Sequence, residues 1–133
     1  MDSNRRAVLC LCKDEITLKV RRLLLEHFGY TVLSTSSVAQ MHAMLRNECP
    51  DMLLLDTNDP ALDCEEVAGW AKTMCPGILS VVLTPEYGLA ASRKSGSVDR
   101  YLKIDGPREE WQSGIESLFD EQAENDASES KAM

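Results

Sequence analysis

The chain has 133 residues, 44% of them hydrophobic and 27% charged, with a formal net charge of −8. That is the size and make-up of one globular domain with one core, and its sign argues against a general binder of nucleic acid or anionic membranes. No run approaches the roughly 18 apolar residues of a membrane span, so membrane insertion is not expected.

Part of the negative charge is set apart at the end of the chain. From Asp120 onward, Asp120, Glu121, Glu124, Asp126 and Glu129 face only Lys131. The expected organisation is therefore a folded domain over 1–119 and an acidic disordered tail over 120–133. The N-terminal MDSNRRAVLC lacks the long apolar run and cleavage site of a secretory leader. Cys10, Cys12, Cys49, Cys64 and Cys75 make an odd number, with no CxxC and no Cys/His cluster. They predict reduced thiols in a cytoplasmic protein and no structural zinc.

In chain order, Ala7–Cys12 is a continuous apolar run of strand length, broken by Lys13, Asp14 and Glu15. Ile16, Val20, Leu23, Leu24 and Phe28 then recur at helical spacing, with Lys19, Arg22 and Glu26 off that stripe. Gly29 is a C-terminal stop, and the β-branched Thr31–Thr35 predicts a second strand. Ser36 or Ser37 caps a helix whose inner face is Val38, Met41, Leu45 and Cys49, ended by Pro50.

Next comes PDMLLLDTNDP, residues 50–60. Its apolar run, Met52 to Leu55, is too short for a helix and predicts a strand buried on both faces. That strand closes on Asp56, so a carboxylate stands at the carboxyl end of a central strand, the edge where open α/β sheets place their sites. A helix with Val67, Trp70 or Ala71, and Met74 inward follows and is stopped by Pro76-Gly77. Ile78–Thr84 predicts a fourth strand, and Pro85–Ser97, diluted by glycine and serine, a short helix. Asp99–Ile104 predicts a fifth strand. Pro107 opens a last helix with Trp111, Ile115, Leu118 and Phe119 inward. Alternating strands and helices predict a doubly wound (βα)5 sandwich with a parallel five-stranded sheet.

Three motifs in this frame resemble the receiver domain of bacterial response regulators. PDMLLLDTNDP matches the family's strand, phospho-acceptor Asp56 and following Pro60. VVLTP matches the end of the fourth strand with its switch hydroxyl, Thr84. DRYL matches the switch aromatic, Tyr101. The resemblance covers about Ala7 to Phe119 and implies the strand order 2-1-3-4-5. It also implies phosphoryl transfer to Asp56 from a sensor histidine kinase or phosphotransfer protein, Mg²⁺ as cofactor, and output by contact with a downstream protein. The implied contact surface is the fourth helix, fifth strand and fifth helix of the family.

Two family positions are altered. The acidic pair that holds Mg²⁺ aligns with Cys12 and Lys13, leaving Asp14, Asp56 and Asn58 as the oxygen ligands that resemblance still offers. Cys12 is a poor ligand for this hard cation, and Lys13 turned into the pocket would pair with Asp56 and compete with metal. The family's lysine on the fifth strand aligns with Ile104, and Lys103 falls one residue early, on the opposite side of the strand.

Two readings stay open. One is a stand-alone receiver phosphorylated on Asp56 that signals through Thr84 and Tyr101. The other is a degenerate receiver that binds a partner without chemistry. An enzyme reading has no support: there is no phosphate loop after the first strand, no Walker or GxGxxG motif, and no Cys-x5-Arg.

Overall fold

The computed structural model describes residues 5–56, 63–85 and 97–132, with the side chains of the last helix described as far as residue 124. The elements are β1 (Ala7–Leu11), α1 (Glu15–His27), β2 (Thr31–Thr35), α2 (Val38–Asn47), β3 (Met52–Asp56), α3 (Cys64–Met74), β4 (Leu79–Thr84), β5 (Arg100–Lys103) and α4 (Arg108–Ala132). The helix expected within Pro85–Ser97 falls on 86–96, outside the described residues.

All strand pairs are parallel and the order is β2-β1-β3-β4-β5, as expected. Alternate strand residues feed two cores. Val8, Cys10, Met52, Leu54, Val81 and Leu83 pack under α1 and α4. Leu9, Leu11, Leu53, Leu55 and Val82 pack under α2 and α3. The near-continuous apolar runs follow from this, because each central strand is buried on both sides.

Local signals set the helix ends. Asp14, Ser37 and Asp63 cap α1, α2 and α3, each accepting a backbone N–H from the first turn. Gly29 has φ 101°, a left-handed turn that lets the chain leave α1 for β2. Met41 and Leu45 of α2 are buried as expected, whereas Val38 is exposed and Cys49 lies exposed past the end of the helix.

Three expectations are corrected. In α1 the buried residues are Leu18, Arg21 and Leu25; of the expected stripe, Leu24 and Phe28 pack partly buried against the core, whereas Ile16, Val20 and Leu23 are 77%, 61% and 62% exposed. The helix carries two apolar stripes. The inner one was hidden because it contains an arginine, which a hydrophobic pattern rejects. In α3 the small residues Ala68 and Ala71 face the sheet and allow close approach. Bulky Trp70 instead lies half-buried, stacked on His42 with ring centroids 3.8 Å apart, and Met74 is exposed.

The third correction concerns the thiols. Cys49 and Cys75 form a disulfide, Cα–Cα 5.7 Å, and Cys10, Cys12 and Cys64 are buried outside it. The two lie 26 residues apart in sequence, which concealed the pairing. Yet each lies within one short connection of a strand, β3 and β4, and Met52 is the register partner of Leu79. The argument for a cytoplasmic location from wholly reduced cysteines loses its basis here.

α4 runs to Ala132, helical where a disordered tail was expected from Asp120. Past Gly114 it has neither glycine nor proline, and Glu, Gln and Ala are good helix formers. Gln122 Nε2 also donates to Gly77 O at 2.8 Å. Among the described residues, no helix is long and apolar enough to cross a membrane.

The inverted face of α1 sets a contrast between two leucines two positions apart. Leu25→Ala should cost about 2–5 kcal/mol in urea denaturation, the range for a truncated core leucine. Leu23→Ala should stay within about 0.5 kcal/mol of the parent. The reverse ranking would place the other stripe against the sheet.

Candidate functional site

β3 delivers Asp56 to the carboxyl edge of the sheet between β1 and β4. Its register partner is Leu83, and it continues the row Met52, Leu54 that faces α1 and α4. A carboxylate sent beneath helices at this depth, 4% exposed, needs a compensating partner. α1 supplies it. Arg21 lies between Leu18 and Leu25 on the buried face, itself 7% exposed, and its Nη1 donates to Asp56 Oδ2 at 2.5 Å.

Cys12, just past β1, completes the cluster. Its thiol donates to Asp56 Oδ2 at 3.6 Å and accepts from Arg21 Nη1 at 3.5 Å. Burial pushes the Cys12 thiol upward and Cys10 below it to about 12, so both are neutral sulfhydryls at physiological pH. On the far side the Arg21 guanidinium carbon lies 5.9 Å from the centroid of the Trp111 ring. Trp111 Nε1 in turn donates to Lys103 O at 2.8 Å. The cation is thus enclosed by a carboxylate, a sulfur and an indole, contributed by β3, the end of β1 and α4.

The other residues singled out from the sequence are placed elsewhere. Lys13 is exposed, and among the described residues the cation bonded to Asp56 is Arg21. Asp14 is fully exposed and occupied as the α1 cap, bonded to Thr17 N and Oγ1, contacts that hold its carboxyl below the usual range. Thr84 is buried at the end of β4, with Lys103 as its register partner. Both share the parity of Val82, the α2/α3 side, opposite to Asp56. Tyr101 is half-buried and its hydroxyl donates to Glu65 Oε1 at 3.4 Å; burial, then the Glu65 charge, raise it. Asn58 and Pro60 lie outside the described residues.

Among the described residues, the donors around Asp56 do not fit Mg²⁺. The ion demands an octahedral shell of oxygens, whereas among the described residues the side chains bonded to Asp56 are a guanidinium and a neutral thiol. Among the described residues, no group of three or more His, Cys, Asp or Glu side chains is placed to hold a metal.

Arg21 was the residue that sequence reasoning missed. Its signal was indirect: a charge at the midpoint of the Leu18–Leu25 stripe, which can be buried only against an acid.

The pair is testable by a double-mutant cycle. Arg21→Met leaves the Asp56 charge buried and should cost about 3–5 kcal/mol in urea denaturation. Asp56→Asn should likewise destabilise, and the double variant should recover most of the loss. Additive single losses would mean that the two side chains are not coupled.

No protein-family model matches the chain, and no curated protein matches its sequence. Solved structures do. A response regulator receiver domain protein from Clostridium thermocellum superposes with a TM-score of 0.78 at 19% identity, over 89% of this chain and 97% of that one. A CheY-like receiver domain protein from Methanospirillum hungatei gives 0.76 at 21% identity, over 92% and 99%. The signal receiver domain of an HD domain-containing protein from Pseudomonas fluorescens gives 0.78 at 19% identity, over 94% of both. With its strand order and the carboxylate at the end of β3, the chain has the fold of a response-regulator receiver domain.

Proposed function

We propose that this chain is a receiver-fold signalling module that works by protein–protein contact without accepting a phosphoryl group. The observation that carries this is the buried ion pair, Arg21 Nη1 to Asp56 Oδ2 at 2.5 Å. Phosphoryl transfer to a carboxylate needs an oxygen free to attack and cations arranged around the oxygens of the incoming group. Here a guanidinium is committed to the acceptor itself. The donor set does not suit Mg²⁺, and Lys103 belongs to the opposite side of β5.

In this reading Arg21 does permanently what a switching receiver does transiently: it satisfies the charge at the end of β3. Thr84 and Tyr101 are then ordinary structural residues, one buried at a strand end and the other tied to Glu65 on α3. The module carries out no turnover, and its partner recognises a surface held in one state.

One feature favours a second reading, phosphorylation of Asp56. Arg21 is a strong phosphate-binding group, and turned toward a phosphoryl group it would neutralise charge that Mg²⁺ and lysine neutralise elsewhere. The donor would then be a sensor histidine kinase or phosphotransfer protein, with Thr84 and Tyr101 as the switch pair.

Intact-mass spectrometry after incubation with acetyl phosphate and Mg²⁺ separates the two. The parent protein should remain at its unmodified mass. An adduct that forms on the parent and is absent from Asp56→Asn would establish the second reading.

A further inference from the structure

The outer face of α1 is the most apolar surface described in this chain. Ile16, Val20 and Leu23, at 77%, 61% and 62% exposure, are three of the five exposed large hydrophobic residues among those described. Their spacing of four and three residues puts them in one stripe along the helix. At about 100° per residue that stripe points directly away from Leu18 and Leu25, which face the sheet. It is therefore open to solvent over its whole length, and contiguous exposed apolar stripes mark interaction sites.

The stripe has one charged flank, and this flank names the occupant. Lys19 and Glu26, seven residues apart, lie on the same side of it. When a helix pairs with a copy of itself about a two-fold axis in antiparallel register, a flank meets the same flank of the other copy. With the axis between Arg22 and Leu23, Lys19 stands opposite Glu26 of the second copy, and Glu26 opposite its Lys19. The same register puts the two Leu23 side chains on either side of the axis, offset by one residue, with Val20 and Ile16 stacked outward beyond them. Apolar seam and charge pattern thus select one register. The existing Arg22–Glu26 contact, 3.6 Å and exposed, is weak enough to be shared or replaced.

We propose that α1 is a self-association face: two copies of this chain pair through antiparallel α1 helices, with Ile16, Val20 and Leu23 at the seam and reciprocal Lys19–Glu26 bridges beside it. This contact does not depend on whether Asp56 carries a phosphoryl group. It does depend on Arg21, because the same helix rotation that sends Arg21 to Asp56 turns the apolar stripe outward. One helix face falls short of the about 800 Å² per partner of a standard interface, so the dissociation constant is expected on the order of 100 µM.

Sedimentation velocity of the full chain from low micromolar to millimolar concentration reads the equilibrium. The parent should dimerise reversibly. Leu23→Glu, at an exposed position, should weaken association more than about 100-fold by setting like charges together at the axis. Val20→Glu is the second variant, and circular dichroism checks that both remain folded. Lys19→Glu and Glu26→Lys should each weaken the dimer about tenfold, since each change replaces two attractions by two repulsions. The double reversal Lys19→Glu/Glu26→Lys should return the parent affinity. A parent that stays monomeric at millimolar concentration overturns the proposal. So does a dimer indifferent to Leu23→Glu, or one that the double reversal fails to restore.

Discussion

A buried carboxylate at the end of β3 has to be neutralised, and the rest of this structure depends on how that is done. Desolvating Asp56 alone would be prohibitive. The fold answers with a cation from its own first helix, Arg21, held 2.5 Å away and enclosed by Cys12 and Trp111. Such a pair is a modest contributor to net stability, because its attraction is spent against the desolvation of both ions. Its effect is specificity. It fixes the rotation of α1 about its axis and ties β1, β3 and α4 to one point.

That rotation has consequences on both sides of the helix. Inward, Leu18 and Leu25 join the core, and the Asp56 carboxylate is bonded by the buried Arg21 guanidinium. Outward, Ile16, Val20 and Leu23 are displaced to solvent, on a helix whose flank charges complement themselves in reverse. Site and surface are therefore two faces of one constraint. A chain with an apolar residue in place of Arg21 would be free to turn the more hydrophobic stripe inward.

The architecture was legible in the sequence because each strand is a bounded apolar run and each bound has its own chemistry. Ser37 capped α2, Gly29 stopped α1, and Asp56 closed β3 at the edge of the sheet. What could not be read depended on contacts between distant segments. α1 offered two stripes, and the choice of the less hydrophobic one was made by a charge 35 positions further along the chain. Lys13, adjacent to the altered Cys12, drew the eye as the cation for Asp56. Capping by Asp14 starts the helix at Glu15 and leaves Lys13 in solvent. The Cys49–Cys75 bridge was hidden for a similar reason, since only the pairing of β3 with β4 brings those residues together.

Arg21 is locked to Asp56 in this structure, and nitrogen-detected NMR of the arginine side chains reads that lock directly. A guanidinium held by a buried carboxylate rotates slowly and exchanges its protons slowly. The Arg21 Nη groups should therefore give separate, exchange-protected resonances at 25 °C that merge in Asp56→Asn. A single averaged Arg21 signal in the parent, exchanging with water as fast as exposed Arg22, would contradict the locked pair and reopen Asp56 to chemistry.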